Sequence, residues 1–371
     1  MATCTGRAGG SATTWIELDL PAVSRNCALI IGDTGTPLMA VVKGDAYGHG
    51  AVQVGRAALA GGASWLGVAR YGEARELREA GIRAPVLVMG PVTADEVDQA
   101  IAAEVTLTLH SRPSLELFAA RVRAAGRSLA VHLKVDTGMG RLGVFAEEAV
   151  PFARQAALAG GLRLDGLFSH LAVADQLHPL NQVQLERFKG AVRAMEEARL
   201  RPRWVHLANS AAAFHLPEAR YDLVRVGNVV LGIRIRIDQP LDPKYRPVLA
   251  WKARLASCRM LPPGWGVGYG QTYCATGDEL VGVVPVGYGD GLRRVPGNRV
   301  LIGGASCPVL GQPCLDQLMV RLPRPFPEGE EVVIIGAQGG AAIGLHDLAA
   351  LYGTSQVDIA THLHPRVLRL F

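Results

Sequence analysis

The 371-residue chain is 49% hydrophobic and 19% charged, enough apolar sequence for a sizeable core and, at this length, for two domains rather than one. The formal charge of +5 comes from Lys and Arg scattered along the chain, without basic runs interleaved with aromatics, so it reads as solvated surface rather than a nucleic-acid interface. Six dispersed cysteines with no Cys-x-x-Cys pair, and no histidines clustered at metal spacing, argue against a disulfide framework and a metal site. The first ten residues carry no apolar h-region, and no apolar stretch approaches the ~20 residues that span a bilayer, so a soluble cytoplasmic protein is expected.

After a Gly- and Thr-rich leader, short apolar runs at 15–20, 38–43, 65–70, 85–89, 105–110, 129–136, 164–170, 204–209 and 223–226 read as strands. Between them, apolar residues recur three and four apart at 52–60, 72–80, 94–103, 115–125, 145–158 and 183–200, the period of helices. This alternation predicts an α/β protein with a parallel sheet, and eight or so units would close a (β/α)8 TIM-type barrel. An open doubly wound sheet is the alternative, but the first strand–helix turn lacks Gly-x-Gly-x-x-Gly. From about Pro240 the helical period disappears. Runs of Val, Leu and Ile at 280–286, 299–302, 319–322 and 332–335 then predict an all-β domain, with a final short helix near 345–351. The expected domains are a barrel over 14–240 and a C-terminal β domain over 241–371, to which the leader 1–20 could add an edge strand.

Chemically loaded residues fall at the ends of the predicted barrel strands, where barrel active sites are built. In Val41-Val42-Lys43-Gly44-Asp45-Ala46-Tyr47-Gly48-His49-Gly50, a lysine closing an apolar strand has a desolvated stem, which lowers its pKa and frees the amine for a Schiff base. Alone it would read as a surface lysine; the glycines and Tyr47 beside it favour a ligand site. In Lys134-Val135-Asp136-Thr137-Gly138-Met139-Gly140-Arg141, an arginine past a glycine-rich turn suits capture of a carboxylate or phosphate. His170 ends another strand, as often a structural hydrogen bonder as a catalyst. Asn209 and Ser210 open an alanine-rich helix that offers backbone N–H groups to an anion. Arg225, followed by Val226-Gly227, aims a cation at the barrel mouth. Downstream, Gly268-Tyr269-Gly270, Gly287-Tyr288-Gly289-Asp290-Gly291 and Gly311-Gln312-Pro313-Cys314-Leu315-Asp316-Gln317 each read singly as turns.

Together, in this order and spacing, these segments resemble the alanine racemase family over about 14–369. The resemblance implies pyridoxal 5′-phosphate held by Lys43 as a Schiff base and racemisation of alanine by two bases on opposite faces of Cα. Lys43 would be one base and Tyr269 the other, supplied across a homodimer interface by the second subunit. Arg141 would hold the substrate carboxylate with the backbone N–H of Leu315, next to Asp316. Arg225 would hydrogen-bond the pyridine nitrogen. Tyr47, Ser210 and the backbone at Gly227 and Asn228 would bind the phosphate, with Asn209 in the same cofactor site. His170 would orient and polarise Tyr269, and Lys134 is a candidate for carbamylation that steadies Arg141.

The chain departs from the family pattern where Gly-Thr-x-x-Tyr-Glu becomes Gly353-Thr354-Ser355-Gln356-Val357-Asp358. Val357 thus replaces a tyrosine that narrows the substrate entrance. Gln312 stands for an arginine, Leu315 for a methionine and Leu231 for an aromatic residue. Both bases remain, and the expectation is a racemase whose pocket could admit serine or larger amino acids besides alanine. Rival readings are a basic-amino-acid decarboxylase of the same fold type and a non-catalytic pyridoxal-phosphate carrier. The β domain with Tyr269 speaks against the carrier, and the absence of a late glycine-rich phosphate loop speaks against the decarboxylase.

Overall fold

A computed structural model describes residues 12–235 and 239–371. The described residues fall into two compact units: Leu20–Arg246, and Pro247–Phe371 together with residues 12–19.

The first unit is built on eight parallel strands in the spatial order Val224–Val226, Leu38–Val41, Trp65–Val68, Val86–Val88, Thr106–Leu109, Leu129–Asp136, Leu162–Phe168 and Trp204–His206. Leu38–Val41, Trp65–Val68, Val86–Val88 and Thr106–Leu109 are buried at every position. Burial at every position suits a sheet covered on both faces, and even Thr108 is buried, donating from Oγ1 to Val88 O (2.7 Å). Among the described residues no ladder joins the two end strands. The seam is bridged by Asp222 N–H donating to Val205 O (2.9 Å) and Arg225 N–H donating to Ala208 O (3.0 Å). The result is a nearly closed (β/α)8 barrel.

Helices alternate with the strands, and several begin where side chains satisfy their first amides. Thr93 and Glu96 form a capping box ahead of Ala94–Ala102, with Thr93 N–H donating to Glu96 Oε2 (2.8 Å). The helix expected at 115–125 starts earlier, as Arg112–Ala125, because Ser111 accepts from Ser114 N–H and Pro113 sits in the first turn. Likewise the helix expected at 183–200 runs Pro179–Glu197, capped by His178. The strand expected to reach Lys43 stops at Val41 and gives way to a turn described below.

In the second unit a curved sheet follows the order Ser257–Leu261, Glu279–Val284, Leu318–Arg321, Ala305–Leu310, Arg299–Ile302, Glu331–Gln338, Leu249–Arg254, Thr14–Leu18 and Leu368–Leu370. Thr14–Leu18 pairs antiparallel with Leu249–Arg254, placing Ile16 opposite Trp251, and parallel with Leu368–Leu370. Both Ile16 and Trp251 are buried. A helix Leu345–Tyr352 follows, then a second, Gln356–Thr361, which the apolar pattern does not announce.

Asn26, buried on helix Leu20–Thr34, donates from Nδ2 to Val230 O (3.2 Å) and Arg246 O (2.9 Å) and accepts from Arg246 N–H (3.0 Å). Each buried backbone group left unpaired costs ~1–3 kcal/mol. Asn26→Leu is therefore expected to destabilise by about 3 kcal/mol or more, read from the denaturant midpoint. An unchanged midpoint would contradict this account of the helix anchor.

Candidate active site

Lys43 follows the strand Leu38–Val41 and opens a turn in which Gly44 (φ 62°), Asp45 (φ 53°), Ala46 (φ 50°) and Tyr47 (φ 54°) are all left-handed. Three of the four are not glycine, and each such residue costs ~1–2 kcal/mol. Local bonds offset the strain. Ala46 N–H donates to Val42 O (2.8 Å), Gly50 N–H to Asp45 O (2.9 Å) and Ala51 N–H to Asp45 Oδ1 (2.7 Å). The turn places Tyr47 against Gly227, where a Cβ would come within 2.6 Å of the Tyr47 hydroxyl. Gly227 N–H also donates to Ser210 Oγ (3.1 Å). Two hydroxyls and a backbone amide thus converge on one point, a donor set suited to a phosphate monoester. Asn209 supports it by accepting from Ala212 N–H (3.1 Å) as the cap of the helix that Ser210 begins.

Arg225 is 3% exposed, and its side chain crosses the barrel seam. Nη1 donates to His206 O (3.0 Å) and His206 Nδ1 (2.9 Å), while Nη2 donates to Ser169 O (2.7 Å), Leu207 O (3.0 Å) and His170 Nδ1 (3.3 Å). Nε has no partner among the described residues, and Arg225 lines the cavity. Burial lowers its pKa to about 9, so it stays charged at neutral pH. Its neighbours respond to that charge. His170 is pushed down to about 2 by burial and then by Arg225, Lys134, Arg141 and Lys43. His206 is held well below its ordinary value by burial and Arg225. Both are neutral acceptors toward Arg225.

Lys134 and Arg141 complete a cationic wall. Asp136 folds the loop between them, accepting from Gly138 (2.9 Å), Met139 (2.8 Å) and Arg141 (2.9 Å) N–H groups. Burial raises the Asp136 pKa, but those backbone donors outweigh it and hold the carboxyl below its usual range. Lys134 is 4% exposed; burial first, then Arg141 and Arg225, bring it down to about 8. Burial and Arg141 likewise lower Lys43, with Glu73 opposing them.

Lys43, Tyr47, Lys134, Arg141, His170, Asn209, Ser210, Arg225, Gly227 and Asn228 all line one cavity of about 770 Å³ at the carboxyl ends of the strands. Tyr269, Leu315 and Asp316 do not belong to it. They line a separate pocket of about 450 Å³ in the β unit, with Gly268, Cys314 and Gln317. That pocket is shaped by two turns zipped together: Tyr288 N–H donates to Cys314 O (3.0 Å) and Gly289 N–H to Leu315 O (2.9 Å). A Cβ at Gly287 would lie 2.2 Å from Leu315 O, which is why glycine stands there. Arg366 clamps the turns through Asp290 (2.7 Å) and Asp316 (2.8 Å). Tyr269 itself is 73% exposed. Val357 sits in helix Gln356–Thr361, and Leu231 is buried in the barrel unit. Sequence reasoning missed Glu73, whose position three residues after Arg70 reads only as a helix cap, and His132, which reads as a polar residue inside a strand.

The family model described as "Alanine racemase, N-terminal domain" matches residues 18–235, and "Alanine racemase, C-terminal domain" matches residues 248–371. A curated relative named alanine racemase, from Symbiobacterium thermophilum, is 40% identical over 368 residues, covering 98% of each chain. The solved alanine racemase from Streptomyces coelicolor A3(2) is 37% identical with a TM-score of 0.91, covering 96% of this chain and 97% of its own. The one from E. faecalis is 34% identical with a TM-score of 0.91, covering 97% and 98%.

Folded Lys134 releases its proton near pH 8, against 10.5 for the ordinary side chain. Between those values the unfolded chain binds more protons, so stability rises with pH; below pH 8 the penalty is present in full. Cofactor-free Lys134→Met in CO₂-free buffer is therefore expected to exceed the wild type by on the order of 3 kcal/mol below pH 8, the gap closing toward pH 10.5. A gap constant from pH 7 upward would contradict the assignment.

Proposed function

The chain belongs to the alanine racemase family and is an amino-acid racemase interconverting L- and D-alanine; on that premise we propose which residues carry the reaction and what they hold. The observation that carries the proposal is the half-buried lysine of lowered pKa in a cavity walled by Arg141, Lys134 and Arg225, with a phosphate-sized donor set at Tyr47, Ser210 and Gly227. That set fits pyridoxal 5′-phosphate: Lys43 would supply the amine for its aldehyde, and Arg225 Nε, without a partner among the described residues, a donor for its ring nitrogen. Tyr47, Ser210, Gly227 and Asn228 would hold its phosphate, with Asn209 supporting them. When bound, the cofactor stabilises the carbanion left as the Cα proton departs.

Racemisation requires a proton taken from one face of Cα and returned to the other, hence two bases. We assign Lys43 to one face and Tyr269 to the other. Arg141 and the Leu315 N–H hold the substrate carboxylate beside Asp316, so the amino acid is oriented from both half-sites. His170, kept neutral by its cationic surroundings, is assigned to orient the Tyr269 hydroxyl. Lys134, whose amine is partly neutral in mild alkali, can add CO₂ and release a proton, leaving a carbamate anion beside Arg141. The exposure of Tyr269 on its own chain supports a homodimer in which each copy lends its β-unit pocket to the other's barrel cavity. Among the described residues no helix is long and apolar enough to cross a membrane, and five described cysteines are unpaired; we assign the enzyme to the cytoplasm. The comparisons do not favour the wider-pocket reading built on Val357, Gln312, Leu315 and Leu231, nor the decarboxylase and carrier readings.

The test is Cα–H exchange in D₂O with holoenzyme. Tyr269→Phe is expected to lose ~10²–10⁴-fold in racemisation while still exchanging deuterium, without inversion, into the enantiomer whose proton faces Lys43. Lys43→Ala is expected to lose both. Wild-type racemisation of both enantiomers by Tyr269→Phe would refute the two-base assignment.

A further inference from the structure

The four-residue left-handed turn after Lys43 closes on itself through bonds within 42–51, and Tyr47 packs against Gly227. Glu73 supplies an attachment from outside. It stands in the first turn of helix Tyr71–Glu79, which follows the neighbouring strand Trp65–Val68. Its carboxylate is divided between two tasks. Oε2 accepts from Ala69 N–H (2.7 Å) and Arg70 N–H (3.0 Å), capping its own helix. Oε1 accepts from Gly44 N–H (2.7 Å), the amide directly after Lys43. The two strands are already in register through Val41 and Gly67, and Val42 N–H donates to Gly67 O (2.8 Å). Glu73 extends that pairing past the strand ends, where the backbone turns left-handed and can no longer pair as a sheet.

We propose that Glu73 is the positioning residue of Lys43: it ties the left-handed turn to the next strand–helix junction and so fixes the direction in which the lysine enters the cavity. This rests on the assignment of Lys43 as the cofactor lysine. The carboxylate also opposes the charges of Arg141 and Arg225 at the lysine, so one side chain supplies both an anchor and a counter-charge. A helix cap alone needs only the bonds to Ala69 and Arg70. The third bond, to another element, is what a capping role leaves unexplained.

The variants are Glu73→Ala, Glu73→Gln and, as a control, Leu77→Ala, which removes a fully buried side chain from the same helix without touching Gly44. In cofactor-free Glu73→Ala, hydrogen exchange of peptides spanning 43–50 is expected to quicken about tenfold. In the holoenzyme its kcat should fall about ten- to a hundredfold with KM for alanine within about threefold, because the carboxylate contacts are elsewhere. Glu73→Gln keeps one acceptor oxygen for three amides and should lie between. Leu77→Ala should lower Tm at least as far as Glu73→Ala yet leave exchange at 43–50 near wild type. Exchange and kcat within about twofold of wild type for Glu73→Ala, or equal losses in Leu77→Ala, would overturn the proposal. A fully active Lys43→Ala would instead overturn the assignment of the lysine. An inert Lys43→Ala beside an unaffected Glu73→Ala removes only the role of Glu73.

Discussion

The interaction on which the rest of the site depends is the buried guanidinium of Arg225. Among the described residues no ladder pairs Trp204–His206 with Val224–Val226, and alongside two backbone bonds the Arg225 side chain reaches across with bonds to three carbonyls, those of His206, Ser169 and Leu207. A side chain thus does across the seam what a strand ladder does elsewhere. Since a guanidinium only donates, every ring nitrogen it meets must be a lone pair. His206 accordingly accepts at Nδ1 and carries its proton on Nε2, which it donates to His132 Nδ1 (2.9 Å). His132 reaches it because Gly166 has no side chain; a Cβ there would lie 2.4 Å from the imidazole. Phe168 stacks flat on His206, 4.9 Å between centroids, and blocks its other routes to water. Burial and the Arg225 charge together keep three histidines neutral.

Burial first, and then Arg141 and Arg225, disfavour the protonated form of the lysines in the cavity. Lys43, Lys134, Arg141 and Arg225 crowd together there, and Arg225, brought down to about 9, stays charged at neutral pH. Such a wall favours anionic ligands, and a phosphate and a carboxylate are what the proposed reaction brings. Stability is spent locally in the left-handed turn and the cation cluster, and rigid strands around them carry the load.

How legible this was depended on which physics governed each part. The barrel showed because its central strands are largely apolar and some of its helices carry caps such as Thr93–Glu96. The end of the strand Leu38–Val41 did not. Val41-Val42-Lys43 continues the apolar run, and local propensity opposes a left-handed Asp45, Ala46 and Tyr47; the turn is held by bonds from Val42, Asp45 and Glu73 that the apolar pattern does not mark. Glu73 and His132 escaped notice for the same reason, since the partners that give them meaning, Gly44 and His206, are 29 and 74 residues away. The barrel residues assigned to the cofactor do gather in one cavity. Tyr269 and Leu315 lie in another pocket, and their link to the barrel residues was drawn from family resemblance, which no spacing in the chain could have supplied.

The central claim is that a working site combines the barrel cavity of one copy with the β-unit pocket of another. It is tested most directly by mixing two inactive variants, Lys43→Ala and Tyr269→Phe, under conditions that exchange subunits. The account predicts that the mixture regains racemase activity, because the mixed dimer holds one site with both Lys43 and Tyr269 intact. A mixture that exchanges subunits fully and stays as inert as its parents would contradict it.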